Sequence, residues 1–256
     1  AASDVYKRQC INIPQLTLKG QNWDDYKEYI DRVYMTGSVE DSSISTYDLG
    51  FFAPGLKDWN TMASNIDATF EGVVRDLRGE VMEATIANNS AVRGKFHIVG
   101  LPDWQNSKYI VGIERLYATS SDVDELLDNI LEEPLPERVN DIIDNMGWMG
   151  ARVTFGGRLD SFRVVGNADT KQGGLSADVT IRRRANRRYD VKGTARSANL
   201  NLGKLLSIEA IHRIDTEVAM NGSVGGSESG GVIGDVSIAI AGAEVGNYRY
   251  SACLLY

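Results

Sequence analysis

Between Val153 and Ile181 the chain reads VTFGGRLDSFRVVGNADTKQGGLSADVTI, and apolar and polar residues alternate along most of it. A period of two sends successive side chains to opposite faces of a strand, so this stretch can hide its apolar set only by pairing into a sheet with one dry face and one wet face. The glycines that interrupt it are turn and bend residues. The same rhythm runs through Val33, Met35, Gly37 and Val39, then Ile66, Ala68 and Phe70, then Val92, Gly94, Phe96 and Ile98 before the turn signal GLPD. It continues through Tyr109, Val111 and Ile113, and through Leu175, Ala177, Val179 and Ile181. Tyr189, Val191, Gly193 and Ala195 face that last set across the tip RRRANRR. The expected fold is mainly β, an extended antiparallel sheet.

Helical spacing replaces the period of two in the middle of the chain. Val123, Leu126, Leu127, Ile130 and Leu131 fall on one helical face, with Ser120 or Ser121 as cap and Pro134 as stop. PERVNDIIDNMG reads as a second short helix, from Pro136 to Gly147. The pair predicts a two-helix insertion over 119–147 that covers an apolar edge. Asp122, Asp124, Glu125, Asp128, Glu132 and Glu133 lie opposite the leucines and are expected on a solvated face. A shorter helix is expected near Trp23 to Tyr29.

The remaining chemistry-bearing residues argue against an enzyme. His97 and His212, the two histidines, have no acids or thiols at metal-ligand spacing, and His97 takes the polar phase of its strand. No G-x-S-x-G elbow accompanies them. The Gly-rich SVGGSESGGVIG lacks the Lys-Ser/Thr end of a phosphate loop and reads as a β turn. The five arginines of Arg182 to Arg188 read as a charged hairpin tip, which could also meet lipid headgroups or an acidic partner. A formal net charge of −8 opposes a nucleic-acid partner, and 26 glycines against 5 prolines fit many tight turns. No catalytic residue, metal or cofactor is expected.

No run of the sequence is apolar and long enough for a transmembrane helix. The ends SDVYKRQ and CLLY resemble translated sequencing-adapter read-through. Residues 1–10 and 251–256 are therefore read as non-native tails, and Cys10 and Cys253 give no redox compartment. The intervening chain divides into β segments at 11–118 and 148–250 around the helical insertion. Within them YDLGFF at Tyr47 matches LNLGKL at Leu200. TFEGVV at Thr69 matches AMNGSV at Ala219, and TFGGRL at Thr154 is a third copy. Repeated sheet units imply an extended β structure.

The segments YDLGFFAP, FEGVVRDLRG, TFGGRLDSFRVVGNADTKQGG and YDVKGTARSANLNLGKLL, in that order around a helical pair, resemble the TamB family of AsmA-like proteins from about Tyr34 to Tyr250. The resemblance implies an internal fragment of a periplasmic protein anchored in the inner membrane, with a sheet of repeated β units curled into an open groove. It implies transport of phospholipid between inner and outer membranes in support of outer-membrane biogenesis. The partners would be acyl chains and, through parts outside this fragment, an outer-membrane assembly protein of the BamA/TamA type. Within that reading Val92, Phe96 and Ile98 line the groove, as do Phe155, Leu159 and Val164. Leu175, Val179, Ile181, Val191, Val218 and Met220 complete the lining, while Arg158, Asp160 and Arg163 face water. Glycines at 157, 166 and 173–174 would permit the bends. A chaperone-like scaffold for assembling outer-membrane β-barrel proteins or autotransporters is a second expectation, and a purely structural β repeat a third. Phase alone does not separate a groove from a packed sandwich, because both need one dry face.

Overall fold

The computed structural model describes residues 10–45, 62–130, 137–184, 188–224, 232–246 and 248–255, and the side chains of 126–130, 137–139, 224, 232 and 252–255 lie outside that description. The chain forms two compact units, 1–135 and 136–256. Both are mainly β, and in each the strands pair antiparallel in sequence order without closing on themselves.

The first unit holds β1 (Gln15–Lys19), β2 (Tyr34–Ser45), β3 (Met62–Val73), β4 (Asp76–Ile86), β5 (Ser90–Val99) and β6 (Lys108–Thr119). A 3₁₀ turn over Trp23–Glu28 running into helix α1 (Tyr29–Arg32) joins β1 to β2. Its start is a capping box: Asn22 Oδ1 accepts from the amides of Asp24 and Asp25, and Asp25 Oδ2 accepts from the amides of Gln21 and Asn22. Helix α2 (Ser120–Ile130) ends the described part of this unit.

The second unit opens with α3 (Glu137–Met146), stopped by Gly147 at φ 74°. Seven strands follow: β7 (Trp148–Arg158), β8 (Ser161–Thr170), β9 (Gly173–Arg183), β10 (Tyr189–Asn201), β11 (Ile211–Val224), β12 (Val232–Val245) and β13 (Tyr248–Leu255). Between β10 and β11 sits a helix, α4 (Leu202–Leu206), capped by Asn201 Oδ1 on the amide of Lys204 at 3.0 Å. This corrects the reading of LNLGKL as a β motif. Leu200 and Leu202 keep strand phase, but the Asn201 cap turns the chain into a helix. The YDLGFF copy, the tip residues 185–187 and the glycine-rich 225–231 lie outside the described residues, as does the Leu126–Leu127–Ile130 face.

Two copies of the other motif share one geometry. Gly72 in TFEGVV and Gly157 in TFGGRL have φ of 126° and 146°, each next to last in its strand before a two-residue turn. At both positions only glycine takes this backbone without strain, which aims the hairpin back along the sheet. In AMNGSV, Gly222 lies within β11, outside the positive-φ group.

Full burial is sparse. In the first unit Val33, Ala84 and Ala118 are buried, and in the second Ile143, Ala151, Leu200 and Leu205. Asn145 fixes α3 to α4, its Nδ2 donating to Leu205 O at 3.2 Å and lying 3.1 Å from Ser207 Oγ. Gln172 Nε2 donates to Asn145 O at 2.8 Å, which ties the β8–β9 turn to α3. Asp122 overturns part of the solvated-face expectation. It is 1% exposed and accepts from Ser90 Oγ at 2.7 Å and from the Asn89 amide at 2.9 Å.

Candidate functional site

Register assigns every paired side chain to a face. In the second unit Phe155, Val164, Val179, Gly193, Met220 and Val236 lie directly opposite one another across six strands. One pleat along, the row is Val153, Gly166, Ala177, Ala195, Val218 and Ile238; on the other side it is Gly157, Phe162, Ile181, Val191, Gly222 and Gly234. A fourth row runs Ala151, Ala168, Leu175, Ser197, Thr216 and Ile240. None of these rows contains Asp, Glu, Lys or Arg. The Phe155 and Phe162 rings lie 5.0 Å apart, so the aromatics of adjacent strands form one surface.

The opposite face carries the charges, matched across strands. Arg163 grips Asp178 with two bonds of 2.7 and 2.6 Å, Arg196 grips Glu217 at 3.0 and 3.2 Å, and Arg184 meets Asp190 at 2.6 Å. The Arg163 hydrogen bond holds the Asp178 carboxyl below the ordinary carboxylate range, and Arg196 does the same for Glu217.

The first unit repeats the pattern. Leu16, Gly37, Phe70, Gly79, Phe96 and Val111 form one row, and Leu18, Met35, Gly72, Leu77, Ile98 and Tyr109 the next. The Phe70 and Phe96 rings each lie over a cross-strand glycine. A Cβ on Gly37 would stand 2.6 Å from Phe70 Cζ, and one on Gly79 would stand 2.6 Å from Phe96 Cζ. The glycines are notches that let the rings lie flat along the sheet. His97 is on the opposite face, 2.6 Å from Asp76 Oδ1, among Glu71, Arg78, Glu80 and Lys95.

Eleven of the twelve lining residues expected from sequence fall on these apolar faces. Val92, Phe96 and Ile98 do so in the first unit, and Phe155, Val164, Leu175, Val179, Ile181, Val191, Val218 and Met220 in the second. The exception is Leu159, which occupies the two-residue turn between β7 and β8 and is 46% exposed. The phase runs Phe155, Gly157, Leu159, but the strand ends at Arg158. Phe70, Leu77, Val81, Val111 and Phe162 also line the faces and carried the same alternation in sequence.

Burial separates the two architectures that phase could not. In a sandwich the inner side chains of two sheets interdigitate to interior density, and their exposure falls close to zero. Here all the described strands of each unit belong to one sheet. None of the expected lining residues reaches full burial: most are half-buried, and Leu175 is 38% exposed. In the same rows Val236 is 47% and Ile238 38% exposed. Among the described residues the apolar rows are thus not a closed core. The described residues leave their dry surface incompletely buried.

Among the described residues there is no group of three or more His, Cys, Asp or Glu placed to hold a metal, and no helix is long and apolar enough to cross a membrane. Comparison with known proteins finds no matching family model, no matching curated protein and no matching solved structure.

Proposed function

We propose that the apolar face of each unit is a lipid-carrying floor, and that the chain is a segment of a periplasmic lipid-transport protein of the TamB kind. The observation that carries this reading is the pairing of charge-free rows with incomplete burial: the rows that a closed core would cover are continuous across six strands, and the described residues do not bury them fully. An acyl chain suits such a surface. It gains about 0.8 kcal/mol for each CH₂ removed from water, needs no polar contact, and loses the same amount on leaving a bilayer. Exchange between bilayer and trough is therefore close to neutral, so lipid can enter and leave without a dedicated energy source at this segment. The glycine notches under Phe70 and Phe96 support the same reading, because flat-lying rings leave the surface unobstructed.

Transport between inner and outer membranes, anchoring in the inner membrane and docking to an outer-membrane assembly protein belong to this proposal through the four motifs alone. The test is extraction of the purified chain with organic solvent followed by mass spectrometry. Phospholipid in stoichiometric amount is the expected result. A chain that purifies free of lipid and also takes none up from vesicles contradicts the proposal.

A further inference from the structure

We propose that the polar face of the second unit carries a separate site for a phosphoryl group, held by Arg182 and Lys192. A groove of about 390 Å³ opens on β9, β10 and β11, floored by Val191 and Gly222. Its walls are Thr180, Arg182, Asp190, Lys192, Asn221 and Ser223. Register places all six on the face opposite the apolar rows: Thr180 faces Lys192, which faces Asn221, and Arg182 faces Asp190, which faces Ser223. Arg182 and Lys192 are diagonal neighbours on adjacent strands, close enough for both to reach one anion.

Asp190, the one carboxylate among the described residues of the groove, is already engaged. Asp190 Oδ2 accepts from Arg184 Nε at 2.6 Å, and its Oδ1 accepts from Ser223 Oγ at 2.7 Å. Arg182 faces Asp190 across the strands and, behind the hydrogen bonds from Ser223 and Arg184, helps to hold its carboxyl below the ordinary range, but neither Arg182 nor Lys192 comes within ion-pair distance of an acid among the described residues. A third cation lies at this end: Arg188, whose Nε is buried without a hydrogen-bond partner among the described residues. Like charges left adjacent on a chain of net charge −8 mark a local anion site. An arginine fork, a lysine point charge, a hydroxyl and an amide suit the several oxygens of a tetrahedral phosphoester better than a planar carboxylate. The groove has room for more than inorganic phosphate, as a headgroup or a sugar phosphate requires. Asp235, beyond Asn221 in the row that holds Lys192, lines an adjoining pocket that shares Lys192 and Asn221 with this one. The site stands whether or not the opposite face carries lipid.

The test uses the full chain and two probes, inorganic phosphate and vesicles of phosphatidylcholine with and without phosphatidylglycerol. Binding of either probe is expected to weaken about tenfold or more in R182Q/K192Q, with an unchanged melting temperature. Thr180→Val is expected to weaken it less, and Arg152→Gln, an exposed arginine elsewhere on the same face, not at all. Binding of free phosphate alone identifies a soluble phosphoester as the ligand, and binding of anionic vesicles alone a lipid headgroup. The proposal is overturned if neither probe binds, if R182Q/K192Q binds like the parent, or if R152Q weakens binding as much as the double variant.

Discussion

The carboxylate of Asp122, at the start of α2, accepts a 2.7 Å hydrogen bond from the buried hydroxyl of Ser90, the first residue of β5. The Asn89 amide donates to the same oxygen, so one acid closes the β4–β5 turn onto the helix. Burial pushes the Asp122 carboxyl up, but the bonds from Ser90, Asn89 and Thr119 outweigh it and hold the group below the ordinary carboxylate range. A depressed folded-state value means that the stability contribution is present above the unfolded carboxyl pKa of about 4 and is lost as pH falls through the folded value. Asp122→Ala is expected to cost roughly 2 kcal/mol at pH 7. Urea unfolding followed from pH 7 to pH 3 checks this: the parent should lose its advantage over the variant below about pH 4. A gap that stays constant with pH contradicts the assignment.

Glycine positions separate notches from plain strand. At Gly79 a methyl would meet Thr69 O at 2.4 Å and Phe96 Cζ at 2.6 Å, whereas at Gly112 nothing lies within 4 Å. Gly79→Ala is expected to destabilise by about 1–3 kcal/mol, because the Phe96 ring and the neighbouring backbone must shift. Gly112→Ala should be neutral or stabilise by roughly 0.5 kcal/mol through lost unfolded-state entropy. Chemical denaturation of both variants decides it, and equal effects would remove the notch argument.

Much of this was legible in the sequence because it is local. The alternation of Val92, Phe96 and Ile98 and of Leu175 through Ile181 fixed strand and face together, and TFEGVV and TFGGRL carried a shared hairpin. What was illegible depends on partners distant in the chain. Helical spacing put Asp122 opposite the leucines, yet its burial comes from a turn more than thirty residues earlier. Leu159 kept strand phase but fell in a turn that follows a positive-φ glycine. At Asn201 a capping side chain ahead of Leu202–Leu206 was the available signal, and the Leu–Asn–Leu alternation masked it. Whether the dry face is covered has no sequence signature, because a packed sandwich and an uncovered sheet share one pattern.

A charge on the apolar face should therefore cost less than a charge in a core. Val179 is half-buried, and an aspartate there can reach water. Val179→Asp is expected to lose about 1–2 kcal/mol, against the 4 kcal/mol or more of an unpaired charge in a closed interior. Thr180→Asp, on the exposed polar face, should be near neutral. Urea midpoints of the two variants give the comparison, and failure of Val179→Asp to fold points to a covered face.

The central claim, that the charge-free rows carry lipid, is tested most directly by photocrosslinking in cells with a photoreactive residue at 155, 179 or 154. Phe155 and Val179 share a row, and Thr154 is the exposed residue beside Phe155 on the opposite face, away from the Arg182–Lys192 groove. The account predicts phospholipid adducts at 155 and 179 and none at 154. Equal labelling at all three positions, or labelling at none, contradicts it.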